Sequence, residues 1–157
     1  MRSALLAFVF AASALGASQA VAQRLAVPII NHPDVAVATS SGKPVQADQV
    51  KQAIQAAAKA KGWALAFAPG GKVLATLVVR NKHTVVVEIA YSAERYSLMY
   101  KDSVNMKYAP HAQSDSHINS VNNTYTRGGY DGPVIHPFYN NWVQDLQDAI
   151  RQELLKL

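Results

Sequence analysis

Three residues in the second half of the chain, Asp102, Ser103 and His136, have the side-chain types of a hydrolase triad. In such a triad the histidine takes the serine proton while a carboxylate orients the imidazole. Ser103, however, lies in Lys-Asp-Ser-Val-Asn rather than in a Gly-x-Ser-x-Gly elbow, and no glycine pair nearby suggests an oxyanion hole. The sequence therefore favours turn and capping roles for Asp102, Ser103 and Asn105, and a hydrolase that uses His136 with Asp102 or Ser103 is the alternative.

A second candidate for chemistry is a metal site formed by His111, Asp115 and His117, which lie in the single segment HAQSDSH. Imidazole and carboxylate groups at such short spacings bind Zn or Cu in proteins. Metal ligands are normally held by neighbouring contacts, and Ile118 is the one apolar residue here that can anchor the segment. The sequence thus favours a solvated loop, with metal binding as an alternative, and we predict no cofactor.

Tyrosines and tryptophans form the third candidate group, and tyrosine buries its ring while its hydroxyl needs a partner. Most of them are predicted to lock the last helix onto a sheet, and the alternative is a pocket for a sugar or another polar small molecule. The aromatic residues concerned are Tyr91, Tyr96, Tyr100, Tyr108, Tyr139, Trp63 and Trp142. The predicted ligand-binding residues are Tyr91, Tyr100, Asp102, Ser103, Asn105, His136, Tyr139, Asn140 and Trp142.

Two amphipathic helices are predicted to position these side chains. From Gln46 to Lys61, apolar residues recur at helical spacing, and Gly62 follows where a helix usually ends. A second helix is predicted from Pro137 to Lys156, with a proline at its first turn.

Between the helices the hydrophobic period changes to two, which predicts strands at 63–68, 73–80, 83–91 and 96–101. The short loops between them predict an antiparallel meander. Apolar runs at 24–30 and 35–38 are candidates for an additional edge strand. The polar stretch 109–132 is predicted to be a long loop.

The loop lengths predict which side chains share a face, because they pair Ala68 with Val73, Arg80 with His83 and Tyr91 with Tyr96. The predicted core face carries Trp63, Leu65, Phe67, Leu74, Val78, Val85, Val87, Ile89, Tyr91, Tyr96, Leu98 and Tyr100. The opposite face is predicted to expose an apolar patch of Leu77, Val79, Val86 and Met99. The predicted fold class is α+β, a two-layer domain with a four-stranded antiparallel sheet and both helices on one face.

The first 22 residues read as an export signal, with Arg2, an apolar run at 4–15 and Ala20-Val21-Ala22 before Gln23. This apolar run is too short to span a bilayer. We therefore predict cleavage near Ala22 and a single soluble domain at 23–157 that is periplasmic or secreted. The chain has no cysteine, which excludes disulfides, thiolate metal sites and a lipid anchor on cysteine.

The charge is modestly positive, with 15 Lys and Arg against 10 Asp and Glu. These basic residues are spread along the chain, whereas nucleic-acid binders usually gather them on one face with aromatic residues between them. The composition therefore argues against nucleic acid as a partner and leaves an envelope protein or a small polar ligand.

The segments 89–108 and 135–150 resemble a family of small uncharacterised exported bacterial proteins, many of them lipoproteins. The shared features are a Tyr-Ser-x3-Tyr-Ser strand pair, an Asp-Ser-x-Asn turn and a closing Ile-His-x-x-Tyr-Asn-x-Trp helix. They are carried here by Tyr91, Ser92, Tyr96, Ser97, Asp102, Ser103, Asn105, Ile135, His136, Tyr139, Asn140 and Trp142. This resemblance covers roughly a quarter of the chain and implies no activity. The expected function is a non-catalytic binding or envelope-associated protein.

Overall fold

The computed structural model describes residues 25–69, 71–112 and 130–157, which form an α+β fold. The predicted signal at 1–22 and most of the polar loop lie outside these ranges. In chain order the elements are β1 (Val27–Pro28), β2 (His32–Ala36), α1 (Ala47–Ala60), β3 (Ala64–Ala68), β4 (Lys72–Val79), β5 (His83–Tyr91), β6 (Arg95–Val104), β7 (Val134–Ile135) and α2 (Phe138–Leu154). Both predicted helices are thus present, each a little shorter at its ends.

The main sheet has five strands in the order β2-β6-β5-β4-β3, so the prediction of four strands is wrong. The fifth strand, β2, is an additional N-terminal edge strand of the kind that the sequence allows, but it overlaps the apolar run at 35–38 only at Val35 and Ala36. It pairs antiparallel with β6. It fits there because Val35 packs against the core, while Asp34 forms an ion pair of 2.7 Å with Arg95 of β6. A separate two-stranded sheet joins β1 to β7.

The predicted pairing of β5 with β6 is confirmed, since Tyr91 lies opposite Tyr96 and Ile89 opposite Leu98. These pairs share the inner face of the sheet, toward the helices.

The predicted register of β4 is wrong by one residue on both sides. Val79, not Arg80, pairs with His83, because Arg80 and Asn81 take positive φ values of 54° and 52° in a three-residue turn. At the other end, Ala68 pairs with Lys72. Since side chains alternate along a strand, a slip of one residue exchanges the two faces.

The one-residue difference in register places the side chains of β4 on the faces opposite to those predicted. Val73 and Ala75 are fully buried on the inner face, and Leu77 packs against the same core. Leu74 and Val78 are therefore on the outer face, where Val78 is 54% exposed. By the same alternation Leu77 and Val79 do not belong to the outer apolar patch, whereas Val86 and Met99 remain there.

One core joins the helices to the inner face of the sheet. Both helices contribute an apolar stripe, and the inner face contributes alternate residues of β4, β5 and β6. Its fully buried members include Val50, Ala57, Val73, Val85, Val87, Ile89, Leu98, Tyr139, Val143, Leu146 and Ile150. Within the described ranges, neither helix has the length and apolar character that a membrane span requires.

Candidate functional site

A β-bulge in β6 shapes the candidate site. Val87 pairs with Tyr100 and Val86 with Asp102, so Lys101 is an extra residue in β6. A bulge shifts the alternation of side chains beyond it. The residue after Asp102 therefore returns to the inner face, the face that also carries Tyr100.

Ser103 is that residue, and its Oγ lies 3.0 Å from the hydroxyl of Tyr100. It pairs with the buried Val85, and Asp102 points to the other side of the strand. Both residues are within β6, so the prediction that they form the turn after the last strand is wrong. Strand pairing continues to Val104 because the bulge accommodates the extra residue.

Three tyrosine rings meet beside the C-terminal half of β6. We call Tyr100, Tyr108, Tyr139 and Ser103 the tyrosine cluster. Tyr100 and Tyr108 stack with their centroids 4.8 Å apart and their planes 15° apart. Tyr139 meets Tyr100 edge to face at 5.5 Å. These are favoured aromatic geometries. Tyr108 is 44% exposed, so the ring backed by Tyr100 on one side is accessible to solvent.

A sharp change of direction after β6 brings Tyr108 back onto Tyr100. Asn105 and Lys107 have positive φ values of 58° and 52°, and Met106 between them is buried. For a residue with a side chain, this left-handed conformation costs about 1–2 kcal/mol. This turn is held by the segment that precedes α2, since the Met106 carbonyl accepts the His136 N–H at 2.7 Å.

Burial sets the protonation of the cluster. The Tyr139 hydroxyl is buried and has no hydrogen-bond partner among the described residues. Burial, followed by the nearby Tyr100, raises the pKa of Tyr139 well above its usual range. Burial also raises the pKa of Tyr100, against the effect of its hydrogen bond with Ser103. Both phenols are therefore neutral at physiological pH and do not act as bases.

The two predicted asparagines make structural contacts. Asn140 accepts the Ile30 N–H at 3.0 Å and donates to the Pro28 carbonyl at 2.9 Å, which ties the N-terminal segment to α2. Asn105 donates to the Lys82 carbonyl at 2.7 Å and so connects the end of β6 to the β4–β5 turn.

His136 lies at the start of α2, where its Nδ1 accepts the N–H of Phe138 at 3.2 Å. Its ring is 4.9 Å from that of Phe138, which in turn lies 5.8 Å from Trp142. The hydrolase alternative needs His136 within reach of Ser103 or Asp102. Ser103 Oγ is bonded to Tyr100, and Asp102 Oδ1 accepts the Ser103 N–H at 2.7 Å.

Other predicted site residues lie away from the cluster. Tyr91 stands next to the β5–β6 turn, four residues along β5 from Val87, the residue that lies opposite Tyr100. His111 is exposed, and its Nδ1 lies 3.1 Å from the carbonyl oxygen of Asp131. Asp115 and His117 lie outside the described residues. Within the part that the structure describes, no three His, Asp or Glu side chains are grouped as metal ligands.

A groove of about 510 Å³ lies between the 37–45 loop and the β5–β6 turn. Its lining has no aromatic residue, and its charged members are Lys43 and Glu94. The tyrosine cluster at the other end of β5 and β6 offers an exposed ring beside hydroxyls, and we therefore take it as the candidate site.

Two contributors to the cluster are not among the predicted ligand-binding residues, although one of them, Tyr108, belongs to the aromatic candidate group. Tyr108 lies after the predicted strands, and its aromatic type beside a polar stretch is the one signal that marks it. Asn31, far away in the sequence, accepts the Tyr100 N–H at 2.8 Å through its side chain. Nothing local to Asn31 indicates this contact.

No family model, curated protein or solved structure matches this chain in comparisons of its sequence and fold.

Proposed function

We propose that this protein is an exported, non-catalytic binding protein of the cell envelope whose tyrosine cluster takes a small, neutral, ring-shaped polar ligand such as a sugar. Export rests on the signal-like sequence at 1–22. The observation that carries the proposed site is the exposed ring of Tyr108, held in place by its stack on Tyr100.

The cluster has the two features that sugar recognition uses, a flat apolar platform and hydroxyl groups beside it. Tyr108 offers the platform, because Tyr100 covers one face of its ring. Stacking against a fixed ring costs little conformational entropy, since Tyr108 is already held. The Tyr100 and Ser103 hydroxyls bond to each other and carry no charge, which suits a neutral ligand.

The contacts of the candidate triad support binding over catalysis. The Ser103 hydroxyl is engaged with a phenol that stays protonated, and such a phenol does not serve as a general base. Asp102 lies on the other face of β6 from Ser103.

Titration of the protein with N,N′-diacetylchitobiose and with maltose, followed by NMR of the tyrosine rings, tests the proposal. We expect saturable shifts of the Tyr108 and Tyr100 ring signals with at least one of these neutral disaccharides. Tyr108→Ala should abolish the shifts of the Tyr100 ring signals, which remain observable in this variant, and leave the fold intact, because the Tyr108 ring is exposed. Tyr91→Ala, at the far end of the same strand pair, is the matched control and should retain them.

Two results would overturn the proposal. One is the absence of any saturable ring shift with either disaccharide up to about 10 mM, where even weak sites are detectable. The other is an equal loss of binding in Tyr91→Ala and Tyr108→Ala, which would mean that the cluster does not form the site.

A further inference from the structure

The two edges of the main sheet differ in how they are protected against pairing with another strand. Along β2, Pro33 cannot donate a backbone hydrogen bond, Asp34 has a φ of 55°, and the pairing with β6 is irregular between His32 and Val35. These are devices that natural proteins use to blunt an edge. β2 is therefore poorly suited to accept a further strand.

The opposite edge, β3, has none of these devices. Its sequence, Ala-Leu-Ala-Phe-Ala, contains no proline and no charged residue, and all five residues pair regularly with β4. No strand within the described ranges lies on its other side. Its outward backbone N–H and C=O groups are thus available to an added strand.

The side chains along β3 also leave apolar surface uncovered. Phe67 lies on the inner face at this edge and is 50% exposed, with the ammonium of Lys51 4.8 Å from its ring centre. Leu65 on the same face is half-buried, and Ala64 and Ala66 on the outer face are exposed. The inner face of the sheet thus continues to an edge where Phe67 is covered only in part, with Lys51 of α1 over its ring.

We infer that β3 pairs antiparallel with β3 of a second copy of this chain, so that two five-stranded sheets become one continuous sheet in a symmetric dimer. A second copy of β3 fits this edge because its side chains alternate small, large, small, large, small. This order is the same in both directions about Ala66. A two-fold axis at Ala66 requires this self-complementarity.

In this register each large side chain meets another large one. Phe67 lies opposite Leu65 of the partner subunit, and Ala64 lies opposite Ala68 of the partner subunit. Cross-strand aromatic and aliphatic pairs stabilise a sheet, and no like charges are placed opposite each other along the strand. The dimer buries the exposed part of Phe67 and satisfies the free backbone groups of both edges.

Sedimentation velocity over a concentration series from about 1 μM to 1 mM tests the inference. We expect the protein to dimerise within this range. Ala66→Lys and Ala66→Glu should each weaken dimerisation by about tenfold or more, because each places two like charges opposite each other on the axis. An equimolar mixture of the two variants should form a heterodimer, because the charges are then opposite.

Ala56→Lys is the matched control, since Ala56 is an exposed alanine of α1, and it should dimerise like the unchanged protein. Thermal unfolding should show that the Ala66 variants remain folded, because Ala66 is exposed in the single chain. The inference is overturned if the unchanged protein stays monomeric over the whole range. It is equally overturned if both Ala66 variants dimerise as tightly as Ala56→Lys.

Discussion

The Tyr139 hydroxyl lies in the core without a hydrogen-bond partner among the described residues, although its ring meets that of Tyr100 at 5.5 Å. The neighbouring phenol of Tyr100 is bonded to Ser103 instead. A buried polar group without a partner costs about 1–3 kcal/mol. The tyrosine cluster is therefore a place where the protein carries a polar group that does not contribute a hydrogen bond to its stability.

Replacing this hydroxyl should not destabilise the protein. We expect Tyr139→Phe to leave the free energy of unfolding unchanged or to raise it by about 1 kcal/mol, because it removes an unpaired buried group. Tyr100→Phe should lower it by about 0.5–1.5 kcal/mol, because it breaks the bond to Ser103. Urea unfolding measures both. A larger loss in Tyr139→Phe than in Tyr100→Phe would contradict the expectation and assign that hydroxyl a partner.

Asn140 should be a main attachment of the N-terminal segment to α2. Asn140→Ala removes its bonds to Ile30 and Pro28, and we expect a loss of about 2 kcal/mol with faster hydrogen exchange of the Ile30 amide. Asn141→Ala, at the exposed neighbouring position, should change neither quantity. Unchanged exchange at Ile30 in Asn140→Ala would show that other contacts hold this segment.

The left-handed backbone at Asn105 allows its side chain and its conformation to be tested separately. Asn105→Gly keeps the conformation accessible but loses the bond to the Lys82 carbonyl, whereas Asn105→Ala loses the bond and also strains the backbone. We expect the alanine variant to be less stable than the glycine variant by about 1 kcal/mol in denaturant unfolding. Equal stabilities would mean that the backbone relaxes at this position.

His32 should make the protein less stable in mild acid. Burial lowers the pKa of His32 below its usual value, and Asp148 on α2 opposes this only in part. The unfolded chain therefore binds a proton here more readily than the folded one, and stability falls as the pH drops from the ordinary histidine pKa of about 6.5 through the lower folded value.

The comparison of thermal unfolding at pH 7.5 and pH 5.0 measures this dependence. His32→Gln should make the difference in Tm between the two pH values smaller, because the titrating group is gone. Asp148→Asn should make it larger, because the carboxylate that favours the charged imidazole is gone. An unchanged pH dependence in His32→Gln would exclude a contribution from this residue.

Much of the candidate site was visible in the sequence as residue types on predicted elements. Tyr100, Ser103 and Tyr139 are among the predicted site residues, and the predicted pairing of Tyr91 with Tyr96 indicates which face Tyr100 occupies. The place of Ser103 was not predictable, because it depends on one bulged residue in β6. The stacking of Tyr108 depends on the left-handed backbone at Asn105 and Lys107, a conformation that neither asparagine nor lysine requires.

Hydrophobic periods of 3.6 and 2 predict the two helices and the four strands of the meander from the residue order alone, because they reflect which side chains are buried. The register of β4 follows from the tertiary structure, since loops of two and three residues differ in the backbone conformation of Arg80 and Asn81, and these residue types do not require that conformation. The place of β2 and the contact of Asn31 with Tyr100 likewise follow from the tertiary structure, because contacts between distant residues depend on packing and not on local propensity.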